Sequence, residues 1–146
     1  MKLIKRKYEN GIQKVQFNKI KVGDFFIYKN KLYKKTEYIY LYLHDKNAID
    51  MEDGSFYSVD LFKEVYSASV QLKVNFSESI KKTIGELQVG DLFHYQSKLF
   101  ILVKDLYCLE LFSYNDCTRL KKINESTQVD YYENAVMNFK GKVNDN

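Results

Sequence analysis

Residues 20–32, IKVGDFFIYKNKL, recur as residues 87–99, LQVGDLFHYQSKL, at an offset of 67. Val22, Gly23, Asp24, Phe26, Tyr28, Lys31 and Leu32 fall on identical Val89, Gly90, Asp91, Phe93, Tyr95, Lys98 and Leu99. Seven of the eleven positions 22–32 are therefore the same residue in both copies. Carried onward without a gap, the offset sets Tyr33 on Phe100, Tyr40 on Tyr107 and Ala68 on Ala135. It also sets Phe56, Phe62 and Val65 on Ile123, Val129 and Tyr132. The chain reads as two tandem copies of one unit of about fifty residues.

Each unit reads as short strands. Val22, Asp24, Phe26 and Tyr28 alternate with Phe25 and Ile27, the period of an extended chain. Lys29-Asn30 and Gln96-Ser97 are polar turn pairs, so the first two strands of each unit form a hairpin. An extended run over 31–43, a strand over 47–53, an Asp53-Gly54 turn and a strand over 55–59 follow. Residues 60–63 read as a helical turn before a last strand over 64–72. Five short strands with one helical turn predict a small SH3-like barrel, whose closure hides the sheet edges. Gly23 and Gly90 are expected at bends or positive φ, with Asp24 and Asp91 bonding neighbouring backbone N–H groups.

Before the first unit, Asn10-Gly11 lies between alternating runs in residues 3–17, LIKRKYENGIQKVQF, which predicts an N-terminal β-hairpin. The expected fold class is all-β: two tandem SH3-like small β-barrels with an N-terminal β-hairpin. The expected organisation is a basic arm over 1–17, a first unit over 18–74, a linker and second unit over 75–139, and a tail over 140–146. The linker falls in the polar stretch 76–86.

Composition bounds the function. Of 146 residues, 45% are hydrophobic and 29% charged, the balance of a globular chain. Thirteen tyrosines and ten phenylalanines without a tryptophan favour pleated surfaces and a ring-filled core. No apolar run is long enough for a membrane helix, and no apolar stretch follows MKLIKRKYEN as in a signal peptide. The expectation is a cytoplasmic protein without a membrane partner. Charge is uneven: residues 1–35 hold eleven Lys/Arg against two acids, and residues 36–66 hold two lysines against seven acids. A basic first third suits phosphates or an acidic partner.

The chemistry-bearing residues are sparse. Cys108 and Cys117 lie nine apart and the histidines are His44 and His94, so the ligands of a structural zinc are missing and the thiols read as reduced. No phosphate-binding glycine loop, nucleophile elbow or HExxH occurs. Asp45, Asp50, Glu52 and Asp53 could face a hard cation but lack EF-hand spacing and read as a solvated loop. No cofactor and no catalytic residue is expected, and the chain reads as no enzyme. Tyr38, Tyr40 and Tyr42 alternate with Ile39, Leu41 and Leu43, so the three rings share one strand face. That face could dock a partner, stack bases or pack the other unit. The candidate binding residues are Tyr38, Tyr40 and Tyr42 with the basic Lys5, Arg6 and Lys7.

The segment VGDFFIYKNKLYKK, residues 22–35, resembles a "VGxLFxYxGxLYxK" module of small bacteriophage accessory proteins. Both copies carry its Gly-Asp, its aromatic pair (Phe26 and Tyr28, Phe93 and Tyr95) and its Lys-Leu-aromatic turn. The second copy has Leu120-Lys121 where the first has Asp53-Gly54. The resemblance implies a host-takeover or anti-defence role, in the host cytoplasm if phage-encoded, and no catalytic residue. Two readings follow: a binding protein that occludes or sequesters a host protein or small signalling molecule, and a nucleic-acid-binding module using the basic hairpin and the tyrosine face.

Overall fold

The computed structural model describes residues 1–6, 13–41, 44–112 and 120–140, with the backbone alone for 38–41 and 44. Its strands are β1 (Lys2–Arg6), β2 (Lys14–Gln16), β3 (Phe25–Tyr28), β4 (Lys31–Leu41), β5 (His44–Asp50), β6 (Phe56–Tyr57), β7 (Glu64–Ser67), β8 (Ser69–Lys73), β9 (Ile80–Thr83), β10 (Leu92–Tyr95), β11 (Lys98–Leu102), β12 (Tyr107–Glu110), β13 (Leu120–Lys122), β14 (Gln128–Tyr132) and β15 (Val136–Lys140). Three short 3-10 turns are the only helical elements among the described residues. None of these is a helix long and apolar enough to cross a membrane.

The all-β expectation holds, and the strands form three sheets. Two are six-stranded, in the orders β2-β7-β3-β4-β5-β6 and β9-β14-β10-β11-β12-β13. The third has the order β1-β15-β8. The hairpins at the heart of each unit form as read. Lys29, Asn30, Gln96 and Ser97 all have positive φ, the backbone of a two-residue turn whose twist matches its strands.

The six-stranded sheets are not closed into barrels: β2 and β6, and β9 and β13, are their ends. Apolar surface is buried by stacking instead of curling. In β3, Phe26 points into a cluster with Phe17, Tyr33, Ala48 and Val65, while Phe25 and Ile27 point the other way. In β10, Phe93 points into a cluster with Ile84, Phe100, Leu102 and Val129, while Leu92 points the other way. The opposite faces meet in a central core that takes Leu32, Ile49 and Met51 from the first unit and Ile101, Leu109 and Leu111 from the second. Met137 and Phe139 of β15 seal it.

The N-terminal hairpin expected around Asn10-Gly11 is not made by the described strands. β1 runs parallel to β15, with Lys2 opposite Val136 and Arg6 opposite Lys140. β2 runs antiparallel to β7, with Val15 opposite Val65. Each strand of the expected pair buries its apolar side in a different sheet, which a local turn signal cannot foresee. The stretch read as a linker also carries structure. β9 pairs with β14, and the following 3-10 turn is capped by Glu86, whose Oε1 accepts the Thr83 N–H and hydroxyl at 3.0 and 2.9 Å.

Strand register corrects the gapless repeat alignment. Tyr33 lies opposite Asp50 and Phe100 opposite Glu110, so Asp50 corresponds to Glu110, an offset of 60. Phe26 lies opposite Ser67 and Phe93 opposite Tyr131, an offset of 64. The first unit extends the β4–β5 hairpin through Tyr40 opposite Asp45. The second turns at once through Lys104–Leu106, with Asp105 and Leu106 at positive φ. Tyr40 therefore has no counterpart at Tyr107, and Val65 corresponds to Val129 instead of Tyr132.

Candidate binding surfaces of the shared sheet

The two units are stitched by their last strands. β8 and β15 pair antiparallel, with Ser69 opposite Lys140, Gln71 opposite Asn138 and Lys73 opposite Val136. At the offset of 67, which sets Ala68 on Ala135, β8 and β15 are equivalent strands. A pseudo-twofold axis then passes through the Gln71–Asn138 pair. Val70 and Leu72 of β8 and Met137 and Phe139 of β15 face the central core, as does Leu3 of β1. By strand alternation, Lys2, Ile4, Arg6, Val136, Asn138, Lys140, Ser69, Gln71 and Lys73 share the outer face.

Among the described residues of the three strands, that outer face carries four cations and no acid. Arg6 is exposed, and its Nε donates to Asn138 Oδ1 at 3.1 Å, which aims the guanidinium across β15. Asn138 is itself only 7% exposed, so it is a fixed anchor. A groove of about 480 Å³ runs between Arg6, Lys140, Ser69, Gln71 and Lys73. Neighbouring strands lie about 4.8 Å apart and residues rise about 3.3 Å each, so the cations span about 10 by 13 Å.

The other sequence candidates scatter. Lys5 points to the opposite side of β1 from Arg6, and its Nζ donates to Asn30 Oδ1 at 2.8 Å, tying β1 to the first unit's hairpin turn. Lys7 and Tyr42 lie outside the described residues. Tyr38 and Tyr40 lie on β4, in the hairpin extension peculiar to the first unit, and their side chains are outside what the structure describes. Lys73 and Lys140, which complete the face with Arg6, come from sequence positions that carried no local signal. Only the pairing of β15 with both β1 and β8 brings them to Lys2 and Arg6.

A second polar feature lies where the units meet. Gly23 and Gly90 adopt φ of 96° and 93°, the positive values expected of them. Each presents its carbonyl to an amine. Gly90 O accepts from the Met1 amino group at 2.9 Å, with Asp91 Oδ1 3.9 Å away. Gly23 O accepts from Lys34 Nζ at 2.6 Å. Lys34 is 3% exposed, and the same Nζ donates to Leu111 O of the second unit at 2.8 Å and sits 4.4 Å from the Phe25 ring centre. Burial pushes the Lys34 ammonium down to about 8, against an opposing pull from Asp24 and Glu110. Ile101 occupies the equivalent position in the second unit.

The acidic stretch read as a solvated loop is organised by a buried group. Asp50 is fully buried, its Oδ1 accepts the Glu52 N–H at 2.8 Å, and its Oδ2 faces Lys31 Nζ at 3.5 Å as an ion pair without a hydrogen bond. Its role is to hold the turn that ends at Gly54. Among the described residues, no three His, Cys, Asp or Glu side chains gather as metal ligands. Cys108 is buried, and burial pushes its thiol up to about 11; Cys117 lies outside the described residues.

No protein-family model matches the sequence, and neither a curated protein nor a solved structure is significantly similar to it.

Proposed function

We propose that this chain is a non-catalytic binding protein that occludes an anionic partner with the outer face of its shared sheet. The carrying observation is the grouping of Lys2, Arg6, Lys73 and Lys140 on one face of the sheet, around an Asn138-anchored guanidinium. The partner on this reading is a host protein or small signalling molecule, and the resemblance at residues 22–35 suggests a host-takeover or anti-defence setting in the host cytoplasm. Each unit is then an opened variant of the SH3-like strand plan, with its last strand passed to the shared sheet. No chemistry is asked of the protein, since gripping needs only complementary charge and shape.

A nucleic-acid reading is favoured by the same face, because cations spread over an area of about 10 by 13 Å can meet several backbone phosphates, more than one small anion offers. The deciding experiment is fluorescence anisotropy with labelled single- and double-stranded oligonucleotides, beside pull-down from host lysate, for wild type and the Arg6→Glu/Lys73→Glu double variant. Lysate capture lost in the double variant, with no oligonucleotide binding at low salt, supports occlusion of a protein. Oligonucleotide binding that falls steeply with salt supports the second reading. Capture or binding unchanged by the double variant removes the cationic face from either.

A further inference from the structure

The pseudo-twofold axis through Gln71–Asn138 relates β8 to β15, yet their outer edges differ. β15 carries β1 as a parallel neighbour, whereas β8 ends the sheet among the described residues. The β1 side shows what such an edge accepts. The Met1 amino group sits on Gly90 O beside Asp91, the Lys2 N–H donates to Ala135 O at 3.0 Å, and Met1 and Leu3 pack on the central core. The equivalents in the first unit are Gly23 O, Asp24, Ala68 and the β8 edge. These residues line a cleft of about 420 Å³, together with Val70 and the half-exposed Phe112. The cleft is where a second β1 would lie.

We propose that this cleft is a docking site for an extended peptide bearing a free amino terminus and apolar first and third residues, added to β8 as a parallel fourth strand. Main-chain hydrogen bonds along β8 supply affinity and the two apolar side chains supply selectivity, the usual division of labour in strand addition. The peptide's amino group would meet Asp24, whose carboxylate makes no ion pair or hydrogen bond among the described residues, as the Met1 amino group meets Asp91. Gly23 O already accepts from the Lys34 ammonium, so the Asp24 carboxylate, and not that carbonyl, is the partner of the incoming amine. Val70, Ile20 and Val22 provide the apolar floor. Phe112, 51% exposed at the rim, would be covered by the third residue. The site lies on the edge of the sheet and does not depend on the cationic face.

The test uses the full chain, labelled with nitrogen-15, titrated with the synthetic hexapeptide Met-Lys-Leu-Ile-Lys-Arg, which copies β1. Saturable amide shifts at residues 68–73 and at Gly23 and Asp24 are expected. Acetylating the peptide's amine, or the Asp24→Asn substitution, should weaken binding about tenfold, the size of one lost charge-assisted contact. Shifts confined to 136–140, meaning exchange with β1, would overturn the proposal. So would equal binding of the acetylated peptide, or no saturable shift. Shifts at 68–73 that appear on concentrating the chain alone would assign the edge to a second copy and overturn it too.

Discussion

Replacing Lys34 by isoleucine tests how the units are joined. Lys34 spends a buried ammonium on two neutral carbonyls, one from each unit. Its folded-state value of about 8, against an ordinary 10.5, has a definite sign. Below pH 8 the side chain is charged in both states, and the full cost of burying the charge is present. Between pH 8 and 10.5 the unfolded chain holds the extra proton, so stability rises with pH. At about 1.4 kcal/mol per unit, the cost is about 3 kcal/mol in all, of which about 2 kcal/mol is relieved by pH 9.5. Lys34→Ile should fold, because Ile101 fills the same place in the second unit. Urea unfolding at pH 7 and pH 9.5 should show wild type gaining about 2 kcal/mol relative to the variant. Cys108 and Tyr33, pushed up to about 11 and about 12, lose stability at high pH alike in both proteins and cancel. Parallel stability curves for the two proteins would refute the buried-charge account.

Phe26→Ala and Phe93→Ala each empty the centre of a separate ring cluster, so each should cost about 3–5 kcal/mol by thermal or urea unfolding; near-wild-type melting of both would contradict the two-cluster core. Gly54 has φ 71°, and a Cβ there would lie 2.7 Å from Val89 Cγ1 and 2.9 Å from Val103 Cα of the facing unit. Gly54→Ala should therefore cost about 2–4 kcal/mol, whereas Gly85→Ala, whose Cβ would find its nearest neighbour at 3.4 Å, should change stability by less than about 1 kcal/mol. If the cationic face engages nucleic acid, Lys73→Ala should reduce the salt slope of binding by about one, read from affinities across a salt series.

The hairpins were legible because their signals are local: two-residue period, a polar turn pair and a glycine before the first strand. The duplicated Val-Gly-Asp run also revealed the repeat, and Phe26 and Phe93 lie where alternation puts them. What was not legible depends on long-range pairing. Asn10-Gly11 looks like a hairpin turn, but Leu3 and Val15 find better burial in separate sheets. The gapless alignment failed between Lys35 and Asp50, because strand pairing tolerates a long hairpin extension in one copy and a tight turn in the other. The cationic face escaped notice for the same reason: Arg6 and Lys140 are neighbours only across a parallel pair that joins the first strand to the last. Lys34, an ordinary surface lysine by composition, became a buried clamp because the second unit covers it.

The antiparallel β8–β15 pair has the geometry of a symmetric dimer contact drawn inside one polypeptide. An edge that pairs with its own equivalent about a dyad is self-recognising, so either half alone would seek a like half. Covalent linkage holds the two halves at millimolar mutual concentration, so the association no longer depends on how much protein is present. Because the halves need no longer be identical, one could lose a hairpin extension and the other gain a buried lysine while the joint between them was kept.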